Sequence, residues 1–190
     1  MIYSICKATK MPNLDKLLKI KNTIFLFDID DTLINTNLAN FLAYKDAIFS
    51  AKNFLIDEKF MLDRCDKRIL KNLNLSNDEM IEIQKLKNKF FKKYLKYTKI
   101  NSFALLLLRI FHKNHKVFLV TNASKNRIKS ILKHHKFNQI PEIFFNKKGD
   151  KYANFISKFN IDKSLVIIFD DSDEDIEEAR SIGIKHIFKI

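Results

Sequence analysis

Apolar residues crowd into short continuous runs along this chain. Thr23–Asp28, Val117–Thr121, Leu165–Asp170 and Lys185–Ile190 carry four of them, and Glu142–Phe145 carries a weaker fifth. Between residues 117 and 190 the runs alternate with short stretches whose apolar positions recur at helical spacing: Asn126 to Lys136, Tyr152 to Phe159, and Ile176 to Ile182. A strand apolar on both faces, followed by an amphipathic helix, is the repeating unit of a parallel sheet covered on both sides. The pattern predicts an α/β fold.

Residues 36 to 98 follow another rhythm. Leu38, Phe41, Leu42 and Ala43 recur at helical spacing, as do Phe60, Met61, Arg64, Ile69 and Leu70, and then Met80, Ile83, Leu86, Phe90, Phe91 and Leu95. These sets predict about three helices and no strand. The stretch Phe103 to Phe111 predicts a helix that returns the chain to the sheet. The expected organisation is an α/β core from residues 1–34 and 99–190, interrupted by a helical insert over 35–98. A short helical piece around Leu14 to Ile20 is expected within a basic N-terminal extension.

Composition narrows the class. With 190 residues and 46% apolar content the chain can bury one good core and a small accessory unit. Only two Gly and two Pro occur, which excludes collagen-like and low-complexity sequences. Cys6 and Cys65 stand apart without metal or disulfide spacing, so a reducing, cytoplasmic setting is expected. The formal charge of +13 comes mostly from dispersed Lys, the richest stretch being Lys85 to Lys99 at helical spacing. That describes a solvated basic face attractive to small anions, and nucleic acid is not the expected partner. Phe103 to Leu108 stops at Arg109, far short of the roughly 20 apolar residues a membrane span requires. No secretory signal pattern opens the chain, and no membrane association is expected.

The polar residues that end the apolar runs carry the candidate chemistry. The first run ends in Asp28-Ile29-Asp30-Asp31-Thr32, the second in Thr121-Asn122, and the third in Asp170-Asp171-Ser172-Asp173-Glu174-Asp175. Open parallel sheets form their active crevice at the carboxyl ends of the strands. If these strands are neighbours, their ends converge on one pocket. Of two carboxylates one residue apart, one can attack an electrophile while the other moves a proton, and both can hold a hard cation. The five histidines show no metal-binding spacing.

On these motifs the chain resembles the haloacid dehalogenase-like hydrolase superfamily, in particular its phosphatases. The DxDxT motif after a hydrophobic strand matches Asp28 to Thr32, the strand-ending Thr matches Thr121, and the DxxxD acidic pair matches Asp171 and Asp175. The resemblance covers roughly residues 22 to 190. It implies a Rossmann-like α/β/α three-layer core with a parallel sheet and an α-helical cap inserted after the first motif, closing over the pocket. It implies Asp28 as nucleophile and Asp30 as general acid and base. It implies Mg²⁺ held by Asp28, the Asp30 carbonyl and Asp171, with Asp175 as a further metal-site carboxylate, and a phosphoryl group held by Thr121, Asn122 and a lysine. That lysine is Lys151 if Asp150 caps the following helix, or Lys148 if the helix starts earlier. Two positions depart from the family pattern: Asp170 and Asp31 stand where Gly is common, leaving open whether Asp170 or Asp171 holds the metal.

Asp30 separates branches of the family. Halide-displacing members lack an acid there, because a departing halide needs no proton. The expected activity is hydrolysis of a small phosphorylated metabolite by a monomer or homodimer. A sugar-phosphate mutase and a non-catalytic basic binding module are the alternatives. Asn35, Asn37, Asn40, Tyr44 and Lys45 follow the first motif closely and are candidates for substrate contact or for an exposed helix face.

Overall fold

The computed structural model describes residues 19, 21–57, 70 and 73–190. The helical piece expected near Leu14, both cysteines, and the set Phe60, Met61, Arg64 and Ile69 lie outside the described residues. Five strands form one sheet: β1 (Ile24–Phe27), β4 (Lys116–Thr121), β5 (Glu142–Phe145), β6 (Val166–Asp170) and β7 (His186–Lys189). Their order is β5-β4-β1-β6-β7, and every neighbouring pair is parallel. All five apolar runs are therefore strands of one sheet, with bounds that match the expected ones or differ by one residue at one or both ends.

The two faces of β1 show why those runs are continuous. Phe25 and Phe27 point to one side, where they stack with Phe169 of β6 and Phe111 of helix α3 (Ser102–His112). Leu26 points to the other, joining Phe118, Val120 and Ile168 beneath Tyr152 and Phe155 of helix α5 (Lys151–Phe159) and Ala179 of helix α6 (Asp173–Ser181). Both faces are covered, so Phe25, Leu26 and Phe27 of β1 and every residue of β6 are buried. The result is a Rossmann-like three-layer α/β/α core.

The chain divides into two compact units. One takes the described residues through Leu33 with Asn101–Asn122 and Ile140–Ile190, and holds the sheet; the other takes the described residues of Ile34–Ile100 and Ala123–Gln139. The second unit contains α1 (Asn37–Lys52), α2 (Asn77–Phe90), a 3-10 helix (Phe91–Tyr97) and α4 (Lys125–His134). A two-residue antiparallel pair, β2 (Ile34–Asn35) with β3 (Lys99–Ile100), closes the base of this segment. Its own core gathers Phe41, Tyr44, Ala47, Ile48, Ile56, Leu70 and Ile83. The helix expected to run through Phe91 and Leu95 tightens into 3-10 geometry at Phe91. Leu38, one of the apolar positions at helical spacing, is exposed, and Asn40 and Tyr44 are buried. α1 thus turns a partly polar face inward, which excludes the exposed-face reading for those two residues.

Candidate active site

β1 extends one residue beyond its formal end, because the Asp28 N–H donates to the Phe169 carbonyl at 3.0 Å. This pins Asp28 beside the carboxyl end of β6. The chain then turns sharply through Asp31, whose φ of 64° lies in the left-handed region. That conformation favours Gly, and Asp is among the few other residues that tolerate it. Thr32 returns the loop to the site by donating from Oγ1 to Asp171 Oδ1 at 2.8 Å. Asn101 holds the loop from below. Its Nδ2 donates to the Thr32 carbonyl at 3.0 Å, while its Oδ1 accepts from the N–H groups of Phe103 and Ala104 at the start of α3.

The start of α5 places Lys151, and not Lys148, beside Asp28. Asp150 occupies the N-cap position and Lys151 is the first helical residue, although the Asp150 side chain makes no capping hydrogen bond. Asp150 instead shares a hydrogen bond with Glu178, whose carboxyl is pushed up to about 7 by burial and by the charges of Asp150 and Asp175. Lys151 is only 1% exposed, and its Nζ lies 2.5 Å from Asp28, 2.8 Å from Asp170 and 2.6 Å from Asp175. Lys148 is exposed and contributes only its backbone carbonyl, which accepts from Asn154 Nδ2.

A bracket of amides joins the strand ends. The Asn146 N–H donates to the Thr121 carbonyl, and its Nδ2 donates to Asn122 Oδ1 at 2.8 Å and to the Gly149 carbonyl at 2.6 Å. Asn154 Nδ2 closes the bracket on Asn146 Oδ1. The segment that presents Lys151 is thereby tied to Thr121 and Asn122. Gly149 sits within it at a φ of 72°, where a side chain would be strained.

Charge in the pocket is unbalanced. Asp28, Asp170 and Asp175 each offer a carboxylate oxygen, all within 4.8 Å of one another, around a single ammonium. Burial pushes Asp28 well above the usual carboxylate range, Lys151 pulls it down, and Asp170 and Asp30 push it up again. Burial alone would lower Lys151, but Asp28, Tyr152, Asp170 and Asp175 outweigh it and hold it well above the ordinary lysine range. Asp28 Oδ2 is buried without a hydrogen-bond partner among the described residues. Three carboxylates against one ammonium leave two negative charges beside the open Asp28 oxygen, and that excess of hard oxygen charge suits a dication bound at Asp28.

The model of the family described as haloacid dehalogenase-like hydrolase matches residues 25–189. The chain belongs to that family. A hydrolase from Pseudomonas syringae is 18% identical, with a TM-score of 0.68 over 86% of this chain and 82% of that one. A haloacid dehalogenase-like family hydrolase from Streptococcus pneumoniae is 18% identical, with a TM-score of 0.69 over 86% and 82% of the two chains. A protein described as a predicted phosphoglycolate phosphatase from Haemophilus somnus is 16% identical, with a TM-score of 0.63 over 90% of each chain. At these identities the likeness is one of fold. No curated protein matches the chain. No helix among the described residues is long and apolar enough to cross a membrane.

In this haloacid dehalogenase-like hydrolase, Asp28, Lys151 and Asp175 of the expected site residues meet directly, together with Asp170. Asp171 lies outside that group and faces Thr32. Asp30 and Thr121 end or follow their strands as expected; Thr121 is buried and Asn122 is exposed. Reading the sequence missed two contributors. Tyr152, read only as the start of an amphipathic helix, donates from its hydroxyl to Asp170 Oδ2, and Asn146 was given no role. The available signal for Tyr152 was its type, since a buried phenol needs an acceptor.

Proposed function

We propose that this hydrolase cleaves small phosphate monoesters with the help of Mg²⁺, through a phospho-aspartyl intermediate on Asp28. The observation that carries the reading is Asp28 itself: one oxygen is held by Lys151 at 2.5 Å while the other, Oδ2, is buried with no hydrogen-bond partner among the described residues. Such a carboxylate is oriented by one oxygen and open for attack with the other. Asp28 Oδ2 bonds to phosphorus as the ester P–O bond breaks, and Asp30 gives its proton to the departing oxygen. Asp30 then takes a proton from water as that water attacks the aspartyl-phosphate, which releases inorganic phosphate and restores Asp28. Lys151 faces the phosphoryl oxygens as charge gathers on them, with Thr121 Oγ1 and the Asn122 N–H as further donors. Asp28, the Asp30 carbonyl and Asp171 would hold Mg²⁺, which when bound offsets the charge of phosphate and carboxylates. The partner is a small phosphorylated metabolite, drawn by a chain whose formal charge is +13.

The test is a screen of phosphorylated metabolites with Mg²⁺, run beside Asp28→Asn. The wild type should release phosphate from at least one, and Asp28→Asn should be slower by at least about 1,000-fold. Equal release by both proteins, or none from any substrate, refutes the reading.

A further inference from the structure

Tyr152 is 0% exposed and lies one residue beyond Lys151 in the first turn of α5. Its hydroxyl donates to Asp170 Oδ2 at 2.5 Å, and its ring lies beneath the Lys151 ammonium, which is 5.0 Å from the ring centroid. It therefore touches both members of the Lys151–Asp170 pair. Asp170 is held on its other oxygen as well, since the Ser172 N–H donates to Oδ1 at 2.8 Å. Oδ2 thus serves the Tyr152 hydroxyl and the Lys151 ammonium, while Oδ1 serves a backbone amide. A carboxylate can accept about four hydrogen bonds, and three are used here within a fully buried residue.

We propose that Tyr152 is a positioning residue that commits Asp170 to the lysine, so that Asp170 fixes the Lys151 ammonium on the phosphoryl site instead of serving as a metal ligand. The inference rests on the phosphatase reading and adds to it the division of labour among the carboxylates. The four-carbon lysine stem is flexible, and an ammonium held at one point could swing between carboxylates. Tyr152 limits that freedom from two sides: its ring bounds the ammonium, and its hydroxyl fixes the orientation of the acceptor. Burial holds the phenol well above its ordinary pKa, so it remains a donor throughout the neutral range. Of the three carboxylates around Lys151, Asp170 is the one held by both a side-chain hydroxyl and a backbone amide.

The experiment compares wild type, Tyr152→Phe, Asp170→Asn and the double variant by titration calorimetry. Mg²⁺ alone is titrated first, and inorganic phosphate is then titrated at saturating Mg²⁺. Tyr152→Phe removes one oxygen from the core, and a urea titration of each variant checks folding. The expected result is phosphate binding weakened about 10-fold in Tyr152→Phe, with Mg²⁺ binding within about 2-fold of wild type. Asp170→Asn should show the same selective loss, and adding Tyr152→Phe to it should weaken phosphate binding no further. The proposal is overturned if Mg²⁺ binding weakens as much as phosphate binding, if phosphate binding is unchanged, or if the two substitutions act additively. Binding is read without turnover. A failure here with the metabolite screen positive removes the role of Tyr152 alone, whereas a negative screen removes the phosphatase reading.

Discussion

Replacing Lys151 by Met keeps most of the buried stem and removes the only ammonium ion-paired with Asp28, Asp170 and Asp175 among the described residues. At separations of 2.5 to 2.8 Å each ion pair is worth ~6 kcal/mol gross at an effective dielectric of ~20. Most of that is offset by the desolvation of four buried or half-buried groups, and breaking such a cluster by removing one partner typically costs 3–5 kcal/mol net. We expect Lys151→Met to lose about 4 kcal/mol in metal-free buffer near pH 8, lowering the melting temperature by about 8–16 °C. The loss should depend on pH in a definite direction. Lys151 has its pKa raised in the folded protein, so its contribution is fully present below about pH 10 and lost only above it. Asp28 is also raised, and without the lysine it rises further. A carboxyl raised on folding favours the folded state in acid and loses that benefit as pH climbs through its folded-state value. The deficit of Lys151→Met should therefore be small near pH 4.5 and open toward pH 8. Urea denaturation with a chelator present, run at both pH values, measures it. A deficit below about 1 kcal/mol, or one equal at the two pH values, refutes the electrostatic account. Adding Asp28→Asn should recover about 1–2 kcal/mol near pH 8, which a simple packing defect would not.

Asn101→Ala removes the acceptor of two α3 amides and a donor to the Thr32 carbonyl, so it should cost about 1–2 kcal/mol by urea titration. The same variant should weaken Mg²⁺ binding in calorimetry, because the loop carrying Asp28 and Asp30 loses its anchor. Glu178→Gln should match the wild type near pH 5 and be more stable near pH 8.5. The Glu178 carboxyl is raised to about 7, so the stability it lends in acid is lost as pH rises through that value. Discounted for solvent screening of a half-buried group, the gain is about 1 kcal/mol. No gain in thermal melts at the higher pH would show that the Asp150–Glu178 contact is not strained.

How much of this was legible in the sequence varied with the range of the interaction. The strands were legible because a doubly covered parallel strand must be apolar throughout. Their carboxyl ends were legible because polar residues appear there abruptly. Asp28 and Thr121 followed from those ends alone. Lys151 and Lys148 could not be separated, since the choice turns on where α5 begins. The expected capping bond of Asp150 does not form; the backbone starts the helix there while the side chain turns to Glu178. Asp170 was ambiguous because its role depends on a phenol and an amide that reach it only in the folded core. The inward Asn40 and outward Leu38 show the same limit: periodicity reports that a helix has a face, not which neighbour that face meets.

The residues that would perform the chemistry are also those whose charges make the pocket costly to fold. Lys151 and Asp28 are 123 positions apart in the chain, so their contact forms only when β1 and α5 are both in place. Without the lysine, Asp28 and Asp170 would be two buried carboxylates at the ends of adjacent strands, where like charges oppose folding. With it, the cluster still carries an excess of negative charge and leaves Asp28 Oδ2 unsatisfied. Folding supplies one cation, and a bound dication would supply the balance. A pocket neutralised entirely by its own side chains would be more stable but would give a dication little reason to bind. The remaining imbalance links the two properties, so Mg²⁺ should raise the stability of the wild type while Asp28→Asn, more stable when metal-free, should gain less from it.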